Sequence, residues 1–221
     1  YQSALEHQIK PIIGCEVYVA RRTRHDRQPK LDDDPYHLVL LAENEIGYKN
    51  LLQLVSDGHV EGFYYRPRVD RELLSALSEG LIVLSACLSG EIPRRLQERN
   101  PTAALKAAEW YREAFGPDHF FLELQDQGLG EQREINHGLL EVARHLGLGV
   151  VATNDVHYIK EDEAMIQDVL LSIQTGKTLN DRDRLRFPSN QFYLKTPQEM
   201  ADLFSGAPDA LKNTLAYSLI Q

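Results

Sequence analysis

Cysteine is scarce in this sequence, since Cys15 and Cys87 are the only two among 221 residues. Two cysteines cannot form a disulfide framework, and their scarcity favours a reducing compartment, so we expect a cytoplasmic protein. No window approaches about 18 uninterrupted apolar residues, so neither a membrane span nor a membrane partner is expected. The first ten residues, YQSALEHQIK, contain no apolar signal-peptide core and do not begin with methionine. They suggest a piece of a longer chain or a processed one.

Several familiar catalytic motifs are also missing. The sequence contains no GxSxG elbow and no CxxC pair. The stretch TGKT at 175–178 has the ending of a phosphate-binding loop but lacks its upstream glycine, so a turn with a basic residue is the better interpretation. No internal repeat or low-complexity stretch is visible.

The net charge of the chain excludes one simple mode of binding. The formal net charge is -9 at pH 7, so the chain as a whole does not attract nucleic acid. Binding to nucleic acid would need a local basic patch or a bound cation. An acidic balance also suits a site that gathers divalent metal ions.

Apolar runs alternate with amphipathic stretches along the chain. The predicted strands are 11–20, 37–42, 81–85, 119–124 and 148–153. The predicted helices are 44–57, 70–78, 102–115, 130–146, 161–174, 197–204 and 208–219. Continuous apolar strands that alternate with helices are typical of parallel strands covered by helices. This pattern predicts an α/β fold, either a β/α barrel or an open doubly wound sheet.

Two segments differ in composition from the rest. Residues 21–34 are polar and dense in charge, and we expect a solvated loop between two strands. Residues 175–196 are basic, with few apolar residues before Phe192, and we expect a long excursion away from the barrel. We therefore divide the chain into a domain over 1–174 and a connecting segment over 175–221.

Polar side chains gather in or beside the predicted strands. Five of them are candidate ligands: Glu16, His37, Cys87, Asp155 and His157. In a parallel β/α protein the carboxyl ends of the strands form one rim, where sites are built. Imidazole with carboxylate suits Zn, Mn or Fe, and a thiolate favours Zn. Asp155 and His157, two residues apart, would share a face of an extended chain. The pattern predicts a divalent metal site.

Each candidate also has a plainer interpretation. Cys87 is compatible with a small buried hydrophobe and His37 with an edge or core histidine. Glu16, flanked by apolar residues, needs a cation partner or exposure, because an unpaired buried carboxylate is costly. Asp155 and His157 could instead form a salt-bridged cap on the following helix. Glu123 and Asp126 are expected to support the ligands or to lie in a loop.

A further candidate is the stretch FYYRPRV at 63–69, where aromatic residues interleave with Arg66 and Arg68. These arginines could bind a substrate phosphate. A surface stack or an internal ion pair is the alternative.

Long stretches of the sequence are similar to a known family. They are, in order, IKPIIGCEVYVA, YHLVLLAENEIGYKNLLQLVS, EGFYYRPRVD, GLIVLSACLSGEIP, FFLELQDQGL, VVATNDVHYIKEDEA and DVLLSIQTGKTLND. On these motifs the chain resembles the PHP (polymerase and histidinol phosphatase) domain of the bacterial DNA polymerase III alpha subunit. The resemblance covers nearly the whole length, and only the last stretch, LKNTLAYSLIQ, trails off.

This resemblance implies a distorted, TIM-like β/α barrel with a metal cluster at the carboxyl ends of its strands. Glu16 matches the family's glutamate ligand, His37 its middle histidine and Cys87 its Cys/His position, while Asp155 and His157 match its late Asp-x-His. Glu16, Asp155 and His157 would also be catalytic. The family's early His-x-His lies upstream of IKPIIGCEVYVA, so we expect the first strands and several ligands to be absent from this chain. Both barrel closure and metal occupancy depend on those parts.

The resemblance implies three possible functions. The first is a metal-dependent phosphoesterase, a 3′–5′ exonuclease within a DNA-directed DNA polymerase, with Zn as the expected metal and Mn or Mg as alternatives. The second is a structural domain that braces the polymerase and docks a proofreading subunit. The third, a histidinol-phosphate phosphatase, is disfavoured because the tail from 175 onward resembles the passage toward a polymerase palm. The implied partners are DNA, the proofreading subunit and other replisome subunits.

Overall fold

The apolar runs of the sequence form one six-stranded sheet in the computed structural model, which describes residues 1–217. The strands are β1 (Gly14–Val19), β2 (Tyr36–Ala42), β3 (Arg68–Val69), β4 (Leu81–Leu84), β5 (Phe120–Gln125) and β6 (Gly149–Thr153). The helices are α1 (Gln2–Glu6), α2 (Glu45–Val60), α3 (Arg71–Ala76), α4 (Glu91–Gln97), α5 (Pro101–Phe115), α6 (Gly130–Leu146), α7 (Ala164–Thr175), α8 (Pro197–Leu203) and α9 (Pro208–Tyr217). A 3₁₀ turn over Glu161–Glu163 precedes α7.

Every predicted strand and helix has a counterpart in this set. The predicted helix over 208–219 corresponds to α9, and its residues 218 and 219 lie outside the described residues. Helix α6 ends as its sequence predicts, because Gly147 adopts a left-handed φ of 64° at its C-terminus. None of the helices within 1–217 has the length and apolar character needed to cross a membrane.

The strand order is β3-β1-β2-β4-β5-β6, and the sheet is not closed into a barrel. The pairs β1–β3, β4–β5 and β5–β6 are parallel, whereas β2 pairs antiparallel with both β1 and β4. The expectation of an entirely parallel sheet is therefore wrong at β2. The reason is the connection: residues 20–35 contain no helix, and without a crossover helix the chain reverses direction.

The reversed strand brings its first residues to the edge where the other strands end. His37 pairs with Tyr18 near the end of β1. Its backbone N–H donates to the carbonyl of Ser89, just after β4, at 3.1 Å. The antiparallel direction of β2 thus places the start of that strand on the rim formed by the carboxyl ends of its neighbours.

The main core lies between one face of the sheet and helices α2, α5 and α6. Leu40, Leu54, Val83 and Phe120 in this core have essentially no exposed surface. A smaller cluster lies on the other face of the sheet and includes Ile82, Leu84 and Val151. Val83 therefore points away from Ile82 and Leu84, as the period of two in a strand requires.

Part of the basic segment 175–196 packs against the turn that follows β6. Tyr158 and Tyr193 form a parallel bridge, and the His157 N–H donates to the Phe192 carbonyl at 2.9 Å. Phe192 is buried in this contact. The expected excursion away from the barrel is therefore wrong at residues 192 and 193, because burial of Phe192 returns this part of the segment to the rim. The domain boundary at 174/175 stays a prediction.

Candidate metal centre

Three of the predicted ligands meet on the rim of the sheet. Glu16 comes from the middle of β1, His37 from the start of β2, and Cys87 from the loop after β4. One carboxylate oxygen, one imidazole nitrogen and the sulfur lie within 4.8 Å of one another. His37 Nδ1 is 3.0 Å from Glu16 Oε1 and 3.8 Å from Cys87 Sγ. Both contacts therefore converge on a single ring nitrogen.

The charge of His37 depends on these two neighbours. Burial alone would lower the pKa of His37, but the hydrogen bonds with Cys87 and Glu16 outweigh burial and raise the pKa to about 9. An imidazolium is therefore favoured at neutral pH, and its Nδ1–H donates to the Glu16 carboxylate. A divalent cation that displaced this proton would meet oxygen, nitrogen and sulfur ligands at the same place.

The donor set fits a divalent metal ion. Carboxylate oxygen, imidazole nitrogen and thiolate sulfur are the three ligand types that zinc accepts. Glu16 and His37 keep partial exposure, with 44% and 25% of their side chains accessible. Partial exposure leaves access for an ion and for a substrate.

Asp155 and His157 lie beside this group, on the turn that follows β6. They do not belong to the group of three, whose members are Glu16, His37 and Cys87 among residues 1–217. Their relation differs from the expected one, because Asp155 has a φ of 47° and the chain is not extended there. A turn, rather than strand alternation, brings them together: His157 Nδ1 is 2.7 Å from the Asp155 carbonyl oxygen and 3.9 Å from its Oδ1.

The Asp155 carboxylate responds to the group of three. Burial raises the pKa of Asp155, and the negative charge of Glu16 also raises it. The neighbouring His157 and His37 act in the opposite direction and lower the pKa of Asp155. Asp155 therefore shares an electrostatic environment with Glu16 and His37. The ligand roles of all five residues stay predictions.

Glu123 is a buried carboxylate below the rim. It is 5% exposed and accepts hydrogen bonds from Gln125 Nε2 at 3.1 Å and from the Thr153 hydroxyl. These bonds use Oε1, while Oε2 has no hydrogen-bond partner within the described chain. Burial raises the pKa of Glu123, and this effect outweighs the lowering by the hydrogen bonds from Thr153 and Gln125. The nearby Asp155 carboxylate also raises the pKa of Glu123. Asp126, by contrast, lies in a turn and accepts from the Gly128 N–H at 2.7 Å.

Arg68 and Arg66 have different surroundings. Arg68 is fully buried and donates to four backbone carbonyls, those of Arg24, Asp26, Asp32 and Gly62. The predicted phosphate-binding role of Arg68 is therefore wrong for this structure, because its donors are used inside the protein. Arg66 is exposed, and its guanidinium lies 5.6 Å from the centre of the Tyr18 ring. Its phosphate-binding role stays a prediction.

Sequence reasoning missed Tyr18. Its ring meets the His37 imidazole edge-on, with centroids 5.1 Å apart, so it links Arg66 to the candidate ligands. The signal was present in the sequence, because Tyr18 follows Glu16 by two positions on one strand and so shares its face.

The fold and this rim site define a class of protein. The PHP domain family matches residues 1–127, more than half of the chain, and the chain belongs to this family.

Several curated relatives of this chain are alpha subunits of DNA polymerase III. DNA polymerase III subunit alpha from Treponema pallidum is 46% identical over 208 residues, which are 94% of this chain and 18% of that protein. The subunit alpha from Borreliella burgdorferi is 44% identical over 97% of this chain and 19% of its own length. The one from Thermus aquaticus is 48% identical over 90% of this chain and 16% of its own length. The chain therefore spans less than a fifth of these curated relatives.

Proposed function

We propose that this chain is the PHP part of a replicative DNA polymerase III alpha subunit, and that its rim site is a metal-dependent phosphoesterase acting as a 3′–5′ exonuclease. The observation that carries the proposal is the convergence of Glu16, His37 and Cys87 within 4.8 Å. Identity to DNA polymerase III alpha subunits over most of the chain supports a DNA substrate. The proposed partners are the other replisome subunits, including a proofreading subunit.

The residues divide into ligands and substrate contacts. Glu16, His37 and Cys87 would hold the ion, with Asp155 and His157 as further ligands, and Zn is preferred over Mn or Mg because of the thiolate. A bound divalent cation would polarise the scissile phosphate and lower the pKa of attacking water. Arg66 is exposed beside Tyr18 and would steady the phosphate. Glu16, Asp155 and His157 would be the residues whose loss most reduces turnover.

Exonuclease assays on the protein expressed from its full-length gene test this proposal. The substrate is a single-stranded oligonucleotide labelled at its 5′ end, and the readout is stepwise shortening from the 3′ end. Asp155→Asn should lower the rate about 100-fold or more, because a metal ligand is lost. His137→Gln is the control, since that histidine is exposed on α6. Wild-type activity of Asp155→Asn would contradict the proposal.

One observation favours the second candidate function, a domain that braces the polymerase and docks the proofreading subunit. The Glu16–His37 ion pair balances charge at the rim without a metal, since the pKa of His37 is about 9. Elemental analysis after extensive dialysis separates the two candidates. Zinc that stays bound in stoichiometric amount favours the phosphoesterase, whereas metal below one tenth of the protein concentration favours the structural role.

A further inference from the structure

A second cleft lies beside the candidate metal centre, between the start of α7 and the returning segment 175–196. Its walls include Tyr158, Met165, Arg184, Arg186, Phe187 and Ser189. Its volume is about 280 Å³, near the lower end of small-molecule sites. This size suits one nucleotide rather than a folded partner.

One wall of the cleft is in contact with a candidate catalytic residue. The Phe187 ring lies 4.5 Å from the His157 imidazole, centroid to centroid. Phe192 packs against both rings, at 4.5 Å from Phe187 and 5.7 Å from His157. A ligand in the cleft would therefore lie one aromatic ring away from His157.

The segment that forms the cleft is locally basic in an acidic chain. Residues 175–196 contain five basic and two acidic side chains. Arg184 is paired with Asp168, and Lys177 is paired with Asp183 at 2.7 Å. Arg186 is exposed and has no ion pair within residues 1–217, and it lines the cleft. Its guanidinium is therefore available for an anionic ligand.

The acidic groups near the cleft do not cancel this charge. Arg184 neutralises Asp168 inside the cleft wall. Glu161 accepts hydrogen bonds from the side-chain amides of Asn190 and Gln191, both at 2.9 Å. These contacts hold Glu161 toward the amides and leave Arg186 as the unpaired charge in the cleft.

From this arrangement we propose that the cleft binds the 3′-terminal nucleotide of single-stranded DNA. The base stacks on the Phe187 ring in the cleft that Met165 of α7 also lines, and Arg186 binds a backbone phosphate. Aromatic rings accept any base, and an unpaired arginine holds the phosphate without reading sequence. The proposal deepens the proposed exonuclease function, because it places the strand terminus next to His157.

Photo-crosslinking tests the cleft directly. The probe is a short single-stranded oligonucleotide with 5-iododeoxyuridine at its 3′ end, irradiated in chelator with the protein expressed from its full-length gene. Mass spectrometry should locate the adduct on the peptide of Tyr158 or Phe187. Arg186→Ala should lower the yield at least fivefold. Arg182→Ala is the matched control, since Arg182 is also exposed and without an ion pair in the described chain but does not line the cleft.

Two outcomes would overturn the proposal: an unchanged adduct yield in Arg186→Ala, or adducts that map only outside the cleft. An equal yield when the iodinated base is moved to the 5′ end would overturn the preference for the 3′ terminus. Because the chelator prevents metal-dependent hydrolysis, this readout is independent of the proposed phosphoesterase. If exonuclease activity is present but no adduct forms, the proposed nucleotide binding in the cleft is rejected and the phosphoesterase proposal stands. If the adduct forms but exonuclease activity is absent, the phosphoesterase proposal is rejected and nucleotide binding in the cleft stands.

Discussion

Arg68 connects the long loop between β1 and β2 to the rest of the sheet. Its Nε and both terminal nitrogens donate to carbonyls of the loop and of Gly62, at 2.8 to 3.0 Å. A guanidinium offers five donors in a fixed fork, so one side chain can satisfy several buried carbonyls. Asp32, itself buried, adds a favourable charge beside it.

Replacing Arg68 should therefore destabilise the fold. In Arg68→Met the buried carbonyls lose their donors, and we expect the free energy of unfolding to fall by about 3–5 kcal/mol. Urea denaturation followed by circular dichroism measures this change. Arg66→Met is the control, since that arginine is exposed two positions away, and its effect should stay within about 0.5 kcal/mol. Equal stability of the two variants would contradict the structural role of Arg68.

Glu123 gives a pH-dependent prediction. Its pKa is raised above the ordinary 4.5, so folding favours the neutral carboxyl. The stability that this group contributes is fully present below 4.5 and is lost as pH rises through the raised pKa. In the metal-free protein, Glu123→Gln should therefore be more stable than the wild type at neutral pH, by about 1–3 kcal/mol.

The pH profile provides the check on this prediction. The advantage of Glu123→Gln should shrink as pH falls through the raised pKa of the wild-type carboxyl, because that carboxyl then becomes neutral as well. Glu134→Gln, at an exposed position of α6, should show no such trend. A variant that is less stable than the wild type at neutral pH, with a deficit that shrinks as pH falls, would mean that the charged form of Glu123 is the favoured one.

At the scale of elements, periodicity predicted the long segments and missed the short ones. Five strands and most helices follow from apolar runs with clear ends. Strand β3 has two residues and α4 has seven, too few for a period to emerge. Helix α4 also contains Pro93, which is tolerated because it lies in the first turn. The direction of β2 could not be predicted, because the chain reversal depends on how residues 20–35 pack.

The candidate site also has features that the sequence predicts and features that it does not. The meeting of His37 and Cys87 on one rim could be argued from their positions beside strand ends, whereas Glu16 joins them from the middle of β1. The left-handed turn at Asp155 could not be predicted, because it is imposed by tertiary structure. The packing of Phe187 on His157 could not be predicted either, because these residues are 30 positions apart in the sequence. Contacts between distant segments leave no periodic signal in the sequence.

Helix α9 provides hydrogen-bond partners for the free backbone groups of the edge strand β6. Asn213 Nδ2 donates to the Val150 carbonyl at 2.8 Å, and the Thr214 hydroxyl contacts the N–H and carbonyl of Ala152 at 3.3 and 3.1 Å. Unpaired groups on a sheet edge are otherwise open to solvent or to another chain. Helix α9 therefore acts as a cover for this edge.

Removing one of these bonds should loosen β6. Asn213→Ala should cost about 1 kcal/mol and speed hydrogen exchange of the amides in residues 149–153. Exchange followed by mass spectrometry measures this locally. Lys212→Ala is the control, because its side chain is exposed and, within the described residues, pairs only with the exposed Asp209. Unchanged exchange in Asn213→Ala would mean that α9 does not protect the edge.

At the scale of the whole molecule, the rim site joins parts of the chain that are distant in sequence. Its three side chains come from β1, β2 and the loop after β4, and they span residues 16 to 87. Because the sheet is open, no ring of strands locks these elements together. A ligand that binds all three would add a link that exists in the folded state alone. Metal binding and folding are therefore expected to be coupled.

Thermal unfolding with and without zinc measures this coupling. At zinc concentrations about 100-fold above Kd, binding to the folded state adds roughly 2.7 kcal/mol, so the Tm of the 221-residue chain should rise by about 5–10 °C. Cys87→Ala should lose most of this increase, because the sulfur ligand is removed. Cys15→Ala should keep it, since Cys15 lies outside the group of three and provides a matched control. An equal increase in both variants would place the zinc elsewhere on the molecule, and no increase in the wild type would contradict a metal site at this rim.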